Sequence, residues 1–288
     1  MNEDEYKIIL FYKFTPIARP EKFRDQHRQI CQAFNLKGRM LIAREGVNAT
    51  FEAKTSEIDG YIKRLRRHKI FKDVVFKESA GIGQAFTKLI VRVRPEVVTL
   101  GVGELDIEKE TAKAVTADEL EKMYADNADF VVLDLRNDFE VQAGRFENTV
   151  NPKLKYFRDL PGKLPELEHL KQKKVVAVCT GGIRCEKATV LLKKAGFIDI
   201  YQLKDGIHTY MQKYPGKNFK GSLFVFDNRM VTPVVATKNR EITGACAFCR
   251  VACEEFYNDD STRPSTKTIC CGDCVIKHGA KLRKCVAV

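Results

Sequence analysis

The sequence predicts an α/β protein in three parts, and three observations lead to that prediction. Residues 1–95 place their apolar segments in the order β-α-β-β-α-β, which favours a ferredoxin-like α+β sandwich. Residues 116–216 alternate short apolar runs with helical segments, which is typical of a doubly wound parallel sheet. Residues 217–288 hold seven of the ten cysteines but no long apolar run, so we expect a small region stabilised by metal. Residues 96–115 are acidic and polar, and are interpreted as a linker.

The N-terminal elements follow from apolar periodicity. Helices are predicted over 20–35 and 56–67, because Pro20 suits a helix start and apolar residues recur at helical spacing in both. Strands are predicted over 6–14, 39–43, 47–51, 74–76 and 89–93.

The positive charge of the chain is concentrated at its two ends. The net charge is +12, and residues 1–95 carry an excess of nine basic side chains. A basic run near the end of the second helix predicts nucleic-acid binding, although such residues could also merely solubilise the surface. The predicted RNA-binding residues are Lys63, Arg64, Arg66, Arg67 and Lys69.

A cysteine loop in the middle segment predicts a reactive thiol. Cys179 follows the apolar run 175–178, and a helix is predicted over 186–195. Backbone N–H groups of such a loop and its helix N-terminus favour a thiolate, as does a nearby arginine. The alternative is a buried, inert cysteine. Cys185 either resolves an oxidised Cys179 or packs as a small residue, and both interpretations stay open. The loop reads Cys179, Thr180, Gly181, Gly182, Ile183, Arg184, Cys185.

The length of this loop narrows the chemistry. Arg184 lies five positions after Cys179, whereas the signature arginine of cysteine phosphatases lies six positions after the cysteine. The shorter loop suits a single sulfur better than a phosphate, and its spacing resembles the rhodanese active-site loop. The residues alone therefore predict a cytosolic sulfurtransferase that carries a persulfide on Cys179. No nucleotide or flavin fingerprint is present.

Two Cys-x2-Cys motifs in the tail predict a metal site. Cys246 and Cys249 are separated by 21 residues from Cys271 and Cys274, and four thiolates suit one tetrahedral ion. Zinc is the expected metal, in a structural role because no coordination position stays open, and iron is the alternative. The ligand set stays open, because further candidates are Cys253, Cys270, Cys285 and His278.

The middle segment resembles a rhodanese domain beyond its loop, since Asp134-Leu135-Arg136 resembles that family's strand-end Asp-x-Arg motif. By this resemblance, Asp134 and Arg136 would brace the loop from a neighbouring strand. Nearly the whole chain is similar to a narrower family, the tRNA uridine hydroxylases. The matching segments are 44–48, 86–94, 96–101, 179–188 and the Cys-rich tail.

The resemblance to tRNA uridine hydroxylases implies an activity that residue chemistry does not predict. It implies hydroxylation of the tRNA wobble uridine, U34, to 5-hydroxyuridine, with dioxygen as co-substrate and Cys179 as the essential cysteine. The anticodon loop would be the partner, since it offers unstacked bases. An oxidised sulfur on Cys179 could deliver oxygen, or Cys179 could add to the base, and the sequence does not choose.

The N-terminus is acidic and has no hydrophobic signal core, and no stretch of the sequence reaches the length of a membrane span. We therefore expect a cytoplasmic protein with no membrane partner. No sequence feature indicates an oligomeric state.

Overall fold

The N-terminal unit is a five-stranded sheet with two helices packed on one face. The computed structural model describes residues 5–232, 241–261 and 265–285, and the chain divides into two units between Thr99 and Leu100. The strands of the first unit are β1 (Tyr6–Phe14), β2 (Lys37–Ala43), β3 (Gly46–Lys54), β4 (Lys77–Ala80) and β5 (Leu89–Val93). The helices are α1 (Pro20–Ala33) and α2 (Thr55–Leu65).

The strand order confirms the ferredoxin-like prediction. The sheet runs β4-β1-β3-β2-β5, and the first four strands pair antiparallel while β5 adds parallel to β2. The core lies between this sheet and the two helices, where Phe11 and Met40 pack with Ile58 of α2.

The prediction of a strand over 74–76 was wrong, because the fourth strand begins at Lys77. Val74 is buried in the helix-side core, and the ring of Phe76 packs 4.9 Å from that of Phe11. These apolar side chains produce a strand-like sequence pattern. They lie just before the strand, where they fill the core without pairing to β1. Pairing with β1 starts only where Lys77 faces Leu10.

Part of the predicted linker is structured. Within residues 96–115, the structure has a short helix α3 (Ile107–Glu110) and a strand β6 (Lys113–Val115). Strand β6 pairs parallel with a strand of the second unit. The domain boundaries themselves stay a prediction.

The second unit is built around a five-stranded sheet in which every pair is parallel, as the sequence predicts. Its strands β6, β7 (Val131–Asp134), β9 (Thr149–Val150), β10 (Lys174–Val178) and β11 (Asp199–Leu203) lie in the order β6-β11-β10-β7-β9. The helices are α4 (Ala117–Ala125), α5 (Asp138–Ala143), α6 (Leu160–Lys163), α7 (Ile183–Lys194) and α8 (Gly206–Lys213). Residues 175–178 of β10 are fully buried, which explains their unbroken apolar character.

The Cys-rich region forms small antiparallel sheets. Two-strand ladders join β8 (Gly144–Phe146) to β12 (Phe219–Gly221) and β13 (Leu223–Phe224) to β14 (Val231–Thr232). Strands β15 (Phe256–Asp259), β16 (Thr266–Ile269) and β17 (Leu282–Lys284) form a three-stranded sheet, and α9 spans Gly272–His278. None of the helices in the described parts of the chain is long and apolar enough to cross a membrane.

A buried carboxylate fixes the connection between β4 and β5. Glu52 of β3 is 2% exposed, and its oxygens accept hydrogen bonds from the backbone N–H groups of Ile82, Gly83 and Ala85 at 2.8, 2.9 and 2.8 Å. One side chain thereby satisfies three backbone donors of this connection, among them the buried N–H of Ala85.

We predict that Glu52→Ala lowers the free energy of unfolding of the N-terminal unit by about 3 kcal/mol, because three N–H donors, including the buried one of Ala85, lose their acceptor. The measurement is a urea titration in which hydrogen exchange of the β1 and β3 amides reports the unfolding of this unit. The control is Glu78→Ala, which removes an exposed ion pair with Lys7 and should cost about 0.5 kcal/mol. Equal effects of the two variants on the free energy of unfolding would contradict the role of Glu52 as the acceptor for these N–H groups.

Candidate active site and cysteine cluster

Cys179 lies directly after β10, where the adjacent helix α8 holds its backbone. The carbonyl of Cys179 accepts a hydrogen bond from the N–H of Ile207 at 2.9 Å, and that of Thr180 accepts one from His208 at 3.0 Å. Gly206 makes this close approach possible, since a Cβ there would lie 2.7 Å from the Cys179 carbonyl oxygen. The first turn of α8 therefore fixes the start of the loop.

The sulfur of Cys179 lies in a site that stabilises a thiolate. Gly182, whose φ of +99° is left-handed, directs its N–H to Sγ at 3.2 Å, and α7 begins at the next residue. Burial raises the pKa of Cys179, but the hydrogen bond from the Cys185 thiol, the charge of Arg184 and the N–H groups of these two residues lower it to about 6. At neutral pH the group is mainly the nucleophilic thiolate.

Cys185 is the partner of that thiolate. It is fully buried in the first turn of α7. Burial, and then the hydrogen bond and negative charge of Cys179, raise the pKa of Cys185 well above its usual value. Cys185 therefore remains a thiol that donates its hydrogen to Cys179. Whether it also resolves an oxidised Cys179 stays a prediction.

Arg184 is held by a buried carboxylate that we did not name as a site residue from the sequence. Its two terminal nitrogens donate to the two carboxylate oxygens of Glu140 at 2.6 and 2.9 Å, and one also donates to Thr180 Oγ1 at 3.1 Å. Burial alone would lower the pKa of Arg184, but the charge and hydrogen bonds of Glu140 raise it. Arg184 is thus a fixed cation beside Cys179.

Asp134 and Arg136 form a second buried ion pair, 2.6 Å long, with both side chains fully buried. Asp134 lies opposite Val178 in the ladder between β7 and β10. Arg136 also donates to the carbonyl oxygens of Glu140 and Gly144 at 3.4 and 2.6 Å, so it ties both ends of α5 to β7. The pair reaches the loop through α5 and the Glu140 side chain, and its supporting role stays a prediction.

Glu140 could have been found in the sequence. It follows the Asp-x-Arg motif by four residues, near the start of the short helix α5. A glutamate in the first helical turn also has a common structural role, since one oxygen of Glu140 accepts the Asn137 N–H at 2.9 Å. That capping role hides the contact with Arg184, which lies 44 positions further along the chain.

The structure brings the four predicted ligand cysteines together. The sulfur atoms of Cys246, Cys249, Cys271 and Cys274 all lie within 4.8 Å of one another, and the Cys249 and Cys271 sulfurs are 3.5 Å apart. Four thiolates bound at about 2.3 Å to a tetrahedral ion are separated by about 3.8 Å. The cluster therefore fits one tetrahedral metal ion.

Backbone donors in this cluster favour a thiolate at Cys246. Burial raises the pKa of Cys246, but N–H groups of Cys249, Cys271 and Phe248 lower it to about 5. N–H groups directed at sulfur are what a thiolate-bound metal requires from its surroundings.

The other candidate ligands lie outside the cluster. The ring of His278 stacks on Phe248 with centroids 4.3 Å apart. Cys285 packs with Phe224, Phe256 and Ile269 in an apolar cluster, and accepts a hydrogen bond from Lys267 Nζ at 3.2 Å. Cys253 and Cys270 pack beside the four ligand cysteines, where burial raises the pKa of both thiols. The four sulfurs that come together are thus those of the two Cys-x2-Cys motifs, and the ligand set stays a prediction.

The predicted RNA-binding residues lie at the end of α2 and in the turn after it. All five are exposed: Lys63, Arg64, Arg66, Arg67 and Lys69. Arg66 lies over the ring of Phe76 with its guanidinium carbon 5.3 Å from the centroid. Cations at a helix C-terminus also stabilise the helix itself, so this position does not by itself establish RNA binding.

The parallel sheet, the cysteine loop after β10 and the cysteine cluster define a multidomain protein with a rhodanese-like domain. Residues 116–213 match the family described as rhodanese-like domain, and residues 220–286 match rhodanase C-terminal. Residues 6–97 match the UPF0176 acylphosphatase like domain.

Proteins of one name align with nearly the whole chain. A tRNA uridine(34) hydroxylase of Cytophaga hutchinsonii is 40% identical, with 88% of this chain and 81% of the relative covered. The proteins of that name from Onion yellows phytoplasma and Bacillus licheniformis are 37% and 36% identical, each covering 93% of this chain, with 88% and 84% of the relatives covered. The chain belongs to the tRNA uridine(34) hydroxylase family.

We predict that the thiolate absorbance of Cys179 rises with pH through a midpoint near 6, and that Cys185→Ala moves this midpoint upward because a donor to the thiolate is lost. The measurement is the difference in absorbance at 240 nm between each protein and its Cys179→Ala counterpart. Cys31→Ala is the control and should leave the midpoint unchanged, because burial raises the pKa of the Cys31 thiol to about 12. A titration midpoint near the usual pKa of cysteine would show that the donors around Cys179 do not stabilise its thiolate.

Proposed function

We propose that this chain hydroxylates U34 of tRNA to 5-hydroxyuridine, with dioxygen as co-substrate and Cys179 as the reacting group. One oxygen atom would enter the base, and a two-electron reductant such as a thiol would convert the other to water. The observation that carries this proposal is the 35–40% identity to tRNA uridine(34) hydroxylases over nearly the whole chain. The thiolate site supports it, because the surroundings of Cys179 lower its pKa to about 6 and so make it a nucleophilic thiolate at neutral pH.

The surrounding residues would prepare that thiolate. Gly182 and Cys185 donate hydrogen bonds to the sulfur, and Arg184 supplies a fixed positive charge that Glu140 holds in place. Both chemical routes, delivery of oxygen from an oxidised sulfur and addition of the sulfur to the uracil ring, begin with the thiolate. The lowered pKa of Cys179 therefore supports the proposal by either route.

The substrate would be held by its phosphates and presented by its anticodon loop. Wobble bases lie in a single-stranded loop, where they are accessible to an enzyme without opening a duplex. We propose that the exposed run at the end of α2, defined by Lys63, Arg64, Arg66, Arg67 and Lys69, contributes to this binding through phosphate contacts.

The four-cysteine cluster would hold zinc in a structural role. Four sulfur ligands leave no position for a substrate, and zinc is the common ion for such a set. A metal would also add stability, because the described part of this region contributes four buried residues to its apolar cluster, namely Phe224, Phe256, Ile269 and Cys285.

We predict one zinc ion per chain, which Cys246→Ser or Cys271→Ser removes, since each variant leaves three thiolates in the cluster. Metal content is measured by inductively coupled plasma mass spectrometry, and folding of the region by hydrogen exchange of β15. Cys253→Ser is the matched control, because Cys253 lies beside the cluster but outside the ligand set. Zinc retained in Cys271→Ser, or lost from Cys253→Ser, would refute the assignment.

We predict that cells lacking this gene lose 5-hydroxyuridine derivatives from their tRNA, and that the wild-type gene restores them while Cys179→Ala does not. The measurement is nucleoside mass spectrometry of purified tRNA, with protein abundance checked in parallel. Cys31→Ala is the control, since Cys31 is a buried cysteine of the N-terminal unit with no place in the loop. Restoration by Cys179→Ala would refute the role of Cys179.

Sulfur transfer is the second candidate, and the rhodanese-like loop favours it. Hydrogen-bond donors that stabilise a thiolate would also stabilise a persulfide on the same sulfur. Incubation with thiosulfate, followed by intact-mass measurement, should add the mass of one sulfur atom to Cys179 if this activity is present. An unmodified protein, together with loss of 5-hydroxyuridine in the deletion strain, would count heavily against sulfur transfer from thiosulfate.

A further inference from the structure

The sheet of the N-terminal unit has a second face, opposite its two helices. Side chains alternate along each strand, so Phe11 and Met40 face the helix-side core while their neighbours face the other way. One end of this second face is covered by residues 81–86, since Ile8 packs with Ala85 and Phe86. The chain after β5 also reaches this face, since Asn48 Nδ2 donates to the carbonyl of the fully buried Val97 at 3.1 Å. The remainder, which we call the open face, includes Leu10, Tyr12 and Leu41, all of them half-buried.

Three exposed arginines lie along the β2–β5 edge of the open face. Arg39 of β2 lies opposite Ile90 of β5, and Leu41 lies opposite Arg92. Arg39 and Arg92 therefore project from the same face, offset by two residues along neighbouring parallel strands. Arg94 follows directly after β5, where its N–H donates to the Ile42 carbonyl at 2.8 Å. All three side chains are exposed.

The charges of these arginines are not neutralised by carboxylates. Among the described residues, no ion pair involves Arg39, Arg92 or Arg94. Partial burial, and then the like charges of the other two arginines, lower the pKa of Arg39. Arg24 of the same unit provides the contrast, because its guanidinium binds Asp25 at 2.8 and 3.0 Å.

Mutually repelling cations cost free energy in the unbound protein, and a bound polyanion offsets that cost. The arginines follow strands of a sheet, so they offer an extended row of donors suited to successive phosphates. Guanidinium groups bind phosphate oxygens in a bidentate manner. The neighbouring strand β3 adds polar side chains to the same face, since Thr50 lies opposite Arg39 and Asn48 lies opposite Leu41. Nucleic acid with single-stranded segments fits such a sheet surface.

We propose that Arg39, Arg92 and Arg94 on the open face bind the phosphate backbone of the substrate tRNA. This inference rests on the proposed function, because it takes tRNA as the substrate. The surface differs from the basic run at the end of α2, since α2 packs on the opposite face of the sheet. The N-terminal unit would then bind the RNA through its sheet.

The test uses the full-length protein and a fluorescent, unmodified tRNA transcript. Binding is measured by fluorescence anisotropy over a series of salt concentrations for wild type, R39Q/R92Q, R39K/R92K and R24Q. We expect R39Q/R92Q to weaken binding about tenfold near 0.1 M salt, and to reduce the slope of log Kd against log salt by about two, one for each lost contact. R39K/R92K should keep the slope, and R24Q should match wild type.

In hydroxylation assays, R39Q/R92Q should raise KM with little change in kcat, because the residues would bind phosphates of the tRNA and not the reacting base. Strand amide exchange equal to that of wild type shows that the variant is folded, and R39K/R92K separates charge from packing. Unchanged affinity and slope in R39Q/R92Q, with a wild type that binds and hydroxylates tRNA, overturns the surface and leaves the proposed function standing. A wild type that neither binds nor hydroxylates tRNA overturns both.

Discussion

The second unit depends on keeping a negative sulfur stable inside the protein. Cys179 is fully buried, and burial of an anion is costly unless donors and positive charge replace the lost water. The replacement comes from N–H groups of the loop, from the Cys185 thiol and from Arg184. Arg184 would itself be a costly buried charge, so Glu140 binds both of its terminal nitrogens. Each buried charge thus requires the next, and together they fix the loop between β10, α5 and α8.

This arrangement shows which parts of the site could be predicted from the sequence. The position of Cys179 at the end of a buried parallel strand follows from the apolar run before it. Gly182 before the helix has a left-handed φ, which glycine adopts freely, but this conformation was not predicted from the sequence. Glu140 as the partner of Arg184 was missed, because a contact between residues 44 positions apart depends on how strands pair.

The same distinction applies to the fold. Alternating apolar residues gave the first three strands of the N-terminal sheet, where each strand has one core-facing side. They misplaced the fourth, because Val74 and Phe76 fill the core without pairing. In the Cys-rich region the spacing of the cysteines predicted the cluster, but the sequence pattern did not predict the strands around it. Their side chains are mostly half-buried and polar, since the cysteines take the place of an apolar core.

Strand β6 determines where the rhodanese-like part of the chain can be separated from the rest. Lys113, Ala114 and Val115 form the edge of the parallel sheet beside β11. A fragment that begins at residue 116, where the family match starts, would leave the backbone of β11 unpaired along that side. An unpaired strand edge is a template for association between molecules. A fragment that keeps this edge of the parallel sheet paired therefore has to begin at or before Lys113, ahead of the residues that the family match covers.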